Sequence, residues 1–492
     1  MKKSIFIIGT LLIMALNGAS AQGIGAFLSH ATFNVPGQSP YVEVYLEIIG
    51  NTIKYKQLPS GQYQGSILVT MIVKQDSVIK DFKKYELLSA TLQDTLGVGV
   101  NFVDQQRFSL PVGNYVLELS IADNNVNKEA RTLNYPFSIE FPADKVSLST
   151  VQLINSYTKS SETTILSKSG YDLVPMVDNF YPSDKNKLIF YSEIYNPKHT
   201  EGEGYLVSYY IESFENSRPL NSFAKSKREA SKPVMIAFNE FDISKLPTGN
   251  YNVVVSVKDK TNTEVAAGSS FFQRSNPAMD AQEMNYSNVD ITNSFVLSFT
   301  SEDTLREFIR SLSPIATEME KVFIRYQLEG AALPVLQQYF QRFWESRNML
   351  EPQREWEEYK VQVDKVNRAF STQVKKGYET DMGHVYLKYG EPSTIQDVPF
   401  DASALSDRGS VPYQIWHYYS LHNGRERNKR FVFISSEVSV KDYTLVHSDA
   451  VGEIQNWNWQ RQLMRDLDIE DRSYDDLRKD RSRSGTYYNN PY

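Results

Sequence analysis

From residue 41 the chain alternates apolar and polar positions with a period of two. "YVEVYLEI" (41–48) puts Val42, Val44, Leu46 and Ile48 on one face and Tyr41, Glu43, Tyr45 and Glu47 on the other. "GSILVTMIVKQ" (65–75), "GNYVLELSIAD" (113–123) and "YPFSIEF" (135–141) read the same way. Successive side chains of a strand point to opposite faces, so this pattern predicts half-buried strands. Gly, Pro, Asn and Asp turns divide them at short intervals, which predicts a β-sandwich.

A repeat predicts a second sandwich. "LPVGNYVLELSIADNNVNKEA" (110–130) is echoed by "LPTGNYNVVVSVKDKTNTEVA" (246–266), an offset of 136 residues, and "YVEVYLEIIGN" (41–51) by "LIFYSEIYNPK" (188–198). In each copy of the first pair, Pro and Gly make a turn and Tyr opens a strand. Two immunoglobulin-like or fibronectin-III-like modules are expected, at 22–145 and 146–276. The polar cluster "DNNVNKE" (123–129) lacks the spacing of a calcium loop and reads as a hairpin tip.

The period then changes. Leu305, Phe308, Ile309, Leu312, Ile315, Met319, Val322, Phe323 and Tyr326 recur at spacings of three and four, as one helix face requires. Ser301 reads as an N-cap, and Pro314 should kink or divide the helix. Leu336, Tyr339, Phe340 and Phe343, with Trp344 beside them, form a second stripe; Trp356, Tyr359, Val363, Val366 and Phe370 form a third. These aromatic stripes predict a helical core layer over 277–375.

"GYETDMGHVYLKYGEP" (377–392) follows. Lys375 and Lys376 suit the last turn of the third helix, and Gly377 the left-handed position after it. Tyr378 packs back on the corner. Thr380, Asp381 and Gly383 have turn chemistry. "HVYLKYG" alternates, predicting a strand with Val385, Leu387 and Tyr389 on one face and His384, Tyr386 and Lys388 on the other. Gly390, Glu391 and Pro392 end it. "YQIWHYY" (413–419), "KRFVFIS" (429–435) and "DYTLVHS" (442–448) add strands around Trp416, with a hairpin turn at Asn423-Gly424, so an antiparallel sheet is expected within 376–452.

These motifs resemble the GWxTD domain, a family of exported proteins of Bacteroidota-type bacteria. "GYETD", "GHVYLKYGEP", "YQIWHYY" and "FVFIS" carry the resemblance, together with the lead-in "FWESRNMLEPQREWEEYKVQVDKVNRAFS" (343–371) and, more loosely, "FYSEIYN" (190–196). Tyr378 stands where the family has Trp, and Met382 where it usually has Arg or Lys. The resemblance implies a structural set of Gly377, Tyr378, Thr380, Asp381, Gly383, Tyr386, Tyr389, Gly390, Pro392 and Trp416; the family has no settled activity to carry over. The expected fold is thus mainly β with an α+β C-terminal part.

Composition sharpens the setting. Lys2 and Lys3, an apolar run from Ile5 to Leu16, and Ala19-Ser20-Ala21 read as a signal peptide over 1–21. No transmembrane segment is expected. The net charge of −7 becomes −9 without those two lysines, and nothing forms a long basic patch, which argues against nucleic acid. The chain has no cysteine, so disulfides and thiolate metal sites are excluded. Thirty-one Tyr and 26 Phe suit half-buried strands and wet interfaces. The segment 453–492 reads as a charged tail, with Trp457, Trp459, Tyr487, Tyr488 and Tyr492 as candidate partner anchors.

Candidate chemistry is sparse. Four of the six histidines, His384, His417, His422 and His447, lie in the C-terminal third. Pairing of 384–389 with 413–419 would bring His384 and His417 together near Asp381 as an acid–base or metal site. No HExxH, GxSxG, Walker or dinucleotide motif accompanies them. No cofactor or metal is expected. The first expectation is a non-enzymatic envelope scaffold or accessory subunit that binds protein partners, in the periplasm or at the outer membrane. The alternatives are an envelope enzyme acting on glycan or peptide through Asp381, His384 and Glu391, or a glycan-binding protein using exposed Tyr and Trp.

Overall fold

A computed structural model describes residues 24–94, 100–127, 129–196, 198, 204–283, 289–398, 411–424, 426–435, 442–456 and 459. The expected signal peptide, Trp457, Tyr487, Tyr488 and Tyr492 lie outside the described residues.

The first sandwich uses β1 (Ala26–Phe33), β2 (Tyr41–Ile48), β3 (Tyr55–Gln57), β4 (Tyr63–Gln75), β5 (Val78–Leu88), β6 (Phe102–Ser109), β7 (Gly113–Asp123) and β8 (Arg131–Ile139). One sheet runs β1-β2-β6 and the other β3-β4-β7-β8, with β5 also paired to β4. The alternation of β2 and β4 puts Val42, Val44, Leu46 and Ile48 against Ile67, Val69, Met71 and Val73 in one core.

The second sandwich uses β9 (Ser147–Leu148), β10 (Gln152–Lys159), β11 (Ser167–Lys168), β12 (Tyr171–Pro175), β13 (Phe180–Tyr181), β14 (Lys187–Tyr195), β15 (Gly204–Ser213), β16 (Pro219–Ala230), β17 (Val234–Asp242), β18 (Gly249–Lys258) and β19 (Glu264–Arg274). Its sheets run β11-β12-β10-β14-β17, with β9 beside β14, and β13-β19-β18-β15-β16. The sequence repeat has a structural counterpart in β7 and β18. Tyr115 Oη donates to the Pro111 carbonyl at 2.8 Å, and Tyr251 Oη to that of Pro247 at 3.1 Å. Each ring stacks on a phenylalanine of the next strand, Phe137 at 5.5 Å and Phe272 at 5.6 Å. The hydroxyl fixes the corner and the ring fills the core, so one six-residue pattern fixes the strand entry twice.

The face of β2 that carries Glu43 and Tyr45 is not solvated. It packs on the second sandwich, where Phe33 and Tyr45 join Ile154, Leu173, Ile189 and Tyr191 in a shared apolar cluster. The central strand β2 is therefore covered on both faces.

The helices among the described residues are a short α1 (Pro277–Glu283), α2 (Glu302–Ser311), α3 (Glu318–Tyr326), α4 (Leu333–Glu345), α5 (Pro352–Phe370) and α6 (Asp381–Tyr389). The Ser301 hydroxyl accepts from Thr304 N at 3.3 Å, capping α2. Pro314 lies in a 3-10 turn that separates α2 from α3. Most of the first two stripes and the start of the third meet in one core, with Phe340 and Trp344 against Trp356 at 4.9 and 5.8 Å, whereas Val363, Val366 and Phe370 join the core under the last sheet and Tyr326 is exposed.

The last sheet has antiparallel order β20 (Thr394–Val398), β21 (Tyr413–Leu421), β22 (Glu426–Ser435), β23 (Tyr443–Ser448). Trp416, Tyr418, Phe431, Phe433 and Leu445 pack on residues of α5 and α6. Two expectations are corrected here. Residues 384–389 are helical, and the sheet's first strand is β20 instead. Met382, Val385, Tyr386 and Tyr389 are spaced i, i+3, i+4, i+7, a helix stripe that overlays the two-residue alternation. Gly377 does not end α5 in a left-handed conformation. α5 stops at Phe370, and the left-handed cap is Gly390, φ 81°, behind α6. Among the described residues no helix is long and apolar enough to cross a membrane.

Candidate functional site

The GYETD segment forms the corner between α5 and α6. A Cβ on Gly377 would stand 2.1 Å from the Val366 carbonyl oxygen, and one on Gly383 would stand 1.9 Å from that of Gly377. Both glycines permit backbone-to-backbone contact. Thr380 is buried; its hydroxyl donates to Gly377 O at 2.7 Å and accepts from Gly383 N at 3.1 Å, capping α6. Asp381 opens α6, where a carboxylate complements the helix dipole. Its Oδ2 accepts from Leu445 N at 2.8 Å, tying the helix to the edge strand β23.

The aromatic members pack around this corner. Tyr378 is buried, and burial first, then Glu379 and Glu307, push its hydroxyl up to about 12 against the pull of Arg310. Tyr386 packs against Phe370, which also touches Trp416 at 5.6 Å. Tyr389 donates to Glu453 at 2.8 Å, and Gly390 O accepts from Tyr418 Oη at 2.9 Å. Beyond Glu391-Pro392, Ser393 N donates to His417 O at 2.8 Å and starts the sheet.

Asp381 and His384 also line a cavity of about 260 Å³ where the second sandwich, the helical layer and the GYETD corner meet. Sequence reasoning missed its other charged residues. Glu215 comes from the turn after β15, Glu318 and Lys321 from α3, Lys388 from α6 and Glu453 from the loop after β23. No local pattern marks Glu215 or Glu453; each is a single acid in a turn, significant only once distant elements converge.

The cavity pushes two carboxyls in opposite directions. Burial raises Glu215, Glu318 adds to the rise, and Lys321 opposes it. Burial also pushes Glu453 up, but the Lys388 ion pair at 2.7 Å, His384 and the Tyr389 hydroxyl outweigh it, so Glu453 lies below the usual range. A carboxyl shifted upward therefore shares a cavity with one shifted downward.

The histidines do not converge. His417 faces Thr394 and Arg430 in the sheet register, whereas His384 is on α6. The expected His384–His417 pair required the strand that is not formed. His422 wedges between Phe214 of the second sandwich at 4.9 Å and Tyr389 at 5.8 Å. His447 is buried, with Nε2 2.9 Å from Asp449 and Nδ1 accepting from Asn456 N. Among the described residues no group of three or more His, Asp or Glu could hold a metal ion. Trp459, expected as a partner anchor, is buried on its own sheet against Tyr413, Val432 and Val446. Its ring is occupied within the chain.

Two fibronectin-III-like sandwiches are thus followed by a helix-and-sheet domain. Residues 282–462 match the GWxTD domain, and the chain carries that domain there. No curated protein matches the chain. Among solved structures it resembles the fibronectin(III)-like modules of Clostridium thermocellum CbhA, at 11% identity and TM-score 0.14 over 48% of this chain and 87% of that one. It also resembles a glycosyl hydrolase family 2 member from Bacteroides cellulosilyticus, at 10% identity and TM-score 0.19 over 49% and 30% of the two chains. Bacteroides uniformis beta-glucuronidase 2, a calcium-binding mutant, matches at 10% identity and TM-score 0.17 over 46% and 26%. This chain spans less than a third of either hydrolase chain.

Proposed function

We propose that this protein is a non-enzymatic scaffold or accessory subunit, exported to the cell envelope and binding protein partners in a periplasmic or outer-membrane assembly. The observation that carries this reading is the engagement of Asp381. The acid that closes the signature motif holds the Leu445 N–H and the start of α6, so it acts as a fastener between helix and sheet. The glycines and Thr380 beside it serve close packing and capping. The signal-peptide pattern of the first 21 residues supports export. Cross-linking and affinity purification from native envelopes test the proposal. A reproducible envelope-protein partner is expected; recovery only as a free monomer overturns it.

A second reading, an envelope enzyme acting on glycan or peptide, is favoured by the opposed shifts of Glu215 and Glu453 beside Asp381 and His384. Pairs of acids pushed apart in this way suit acid–base chemistry. Turnover of envelope glycan or peptide that Glu215→Gln and His384→Ala abolish without loss of fold would establish it. Absence of any turnover by the wild-type chain removes it.

A further inference from the structure

The interface between the sandwiches holds a closed ring of polar side chains with an unusual composition. Lys168 Nζ donates to Gln152 Oε1 at 3.1 Å. Gln152 Nε2 donates to Tyr45 Oη at 2.8 Å. Tyr45 Oη donates to Glu43 Oε2, and the same oxygen receives Lys168 Nζ. Glu43 is 0% exposed, Tyr45 2%, Gln152 5% and Lys168 7%, so bulk water is excluded from all four. The Phe33 ring lies 4.2 Å from Nζ and closes one side. Arg107 binds Glu43 Oε1 through Nη2 at 2.6 Å and Nε at 3.2 Å, which turns Oε2 toward the lysine and the tyrosine.

We propose that Lys168 and Gln152 become joined by a side-chain isopeptide bond, with Glu43 and Tyr45 of the first sandwich moving the protons. The amine is held against the carboxamide whose carbon it would attack, at 3.1 Å from its oxygen, and such confinement side by side raises effective concentration. Burial depresses the Lys168 ammonium, against the pull of Glu43, and so favours the neutral, nucleophilic amine.

The step balances within these four residues. One proton passes from Nζ to Glu43 Oε2, leaving an amine and a carboxylic acid. The Nζ lone pair attacks Cδ of Gln152, and the carbonyl π pair moves onto Oε1. Collapse restores the carbonyl and breaks the Cδ–Nε2 bond. The departing Nε2 takes the Tyr45 hydroxyl proton, and Tyr45 regains one through Glu43 from Nζ. The ammonia then takes the remaining proton from Glu43 and leaves as ammonium. One C–N bond forms, one breaks, charge is conserved, and no oxidant enters. Glu43 and Tyr45 end as they began.

Both bonded residues belong to the second sandwich, on β10 and β11, whereas both proton-moving groups sit on β2 of the first. The bond can form only after the sandwiches dock. It would give a cysteine-free chain a covalent staple.

The test is peptide mapping by mass spectrometry on the full-length purified protein. The expected result is a branched peptide joining Gln152 to Lys168, lighter by one ammonia than its two linear parts. Intact mass alone is insufficient, because cyclisation of an N-terminal glutamine loses the same group. Glu43→Gln and Tyr45→Phe, checked for fold by circular dichroism, should give the linear peptides. Linear peptides only, from wild-type protein, overturn the proposal without recourse to any variant. A branched peptide persisting in both variants overturns the roles given to Glu43 and Tyr45.

Discussion

Gly383 has no room for a methyl group. Its Cβ would fall 1.9 Å from Gly377 O and 2.7 Å from Val366 Cγ1, and the first of these is backbone that cannot swing away. Gly383→Ala should therefore cost about 2–4 kcal/mol in urea unfolding, within the range of overpacked cores. Asp381 gives a subtler contrast. Asp381→Ala leaves the Leu445 N–H without its acceptor and should cost about 1–3 kcal/mol. Asp381→Asn keeps an oxygen acceptor and should cost clearly less in the same measurement. A catalytic carboxylate would show the reverse sensitivity, with Asn as damaging to turnover as Ala. At this scale the sequence was informative about which residues matter and less so about why. Gly377 and Gly383 stand out in the chain, but their contacts come from Val366 and from each other across a helix crossing that no local pattern announces.

α6 shows where period counting is ambiguous. "MGHVYLKY" satisfies both a two-residue and a 3.6-residue repeat. The Thr380 cap and the Gly390 stop decide for helix, because together they satisfy or end the backbone groups at both helix termini. The long stripes of α2 to α5 have one period only and were legible except at the end of α3, where Tyr326 is exposed. α6 is fastened to the loop after β23 by Lys388 and Glu453, whose side chains are 16% and 12% exposed. The folded-state pKa of Glu453 is depressed from its ordinary 4.5. As pH falls below 4.5 the unfolded chain takes up the proton first, so the stability from this pair is present above 4.5 and lost as pH drops through the folded value. Lys388→Ala should thus destabilise the protein by about 1–3 kcal/mol at pH 7, where it leaves a largely buried carboxylate without its cation. The gap between variant and wild type should close toward acid pH. Urea titrations at pH 7, 4.5 and 3 check both parts.

Across the whole molecule, the sandwich repeat and the change of period at about residue 301 were visible in the chain, but the joints between parts were not. Alternation in β2 marks Glu43 and Tyr45 as the polar face of a strand, which ordinarily means solvent. Their burial depends on β10 to β14, more than 100 residues later. The junction cavity likewise draws Glu215, Glu318, Asp381 and Glu453 from separate regions. Phe33 tests the sandwich joint. It is 0% exposed, stacked on Tyr41 at 5.3 Å and set among residues of both modules. Phe33→Ala should cost about 3–5 kcal/mol and, in limited proteolysis, speed cleavage between the modules.

The doubly covered strand β2 also sets a timetable. A chain emerges N-terminus first, and a domain generally folds once its own residues are available. The first sandwich cannot follow that schedule to completion. Its strands are all present once Ile139 has appeared, yet the second face of β2 stays bare until β14 ends at Tyr195. Over that interval of 56 residues the nascent protein presents Phe33, Tyr45 and a Glu43 that has Arg107 but not yet Lys168 to its surroundings, so the vulnerable moment in its biogenesis falls between the two halves of its own repeat.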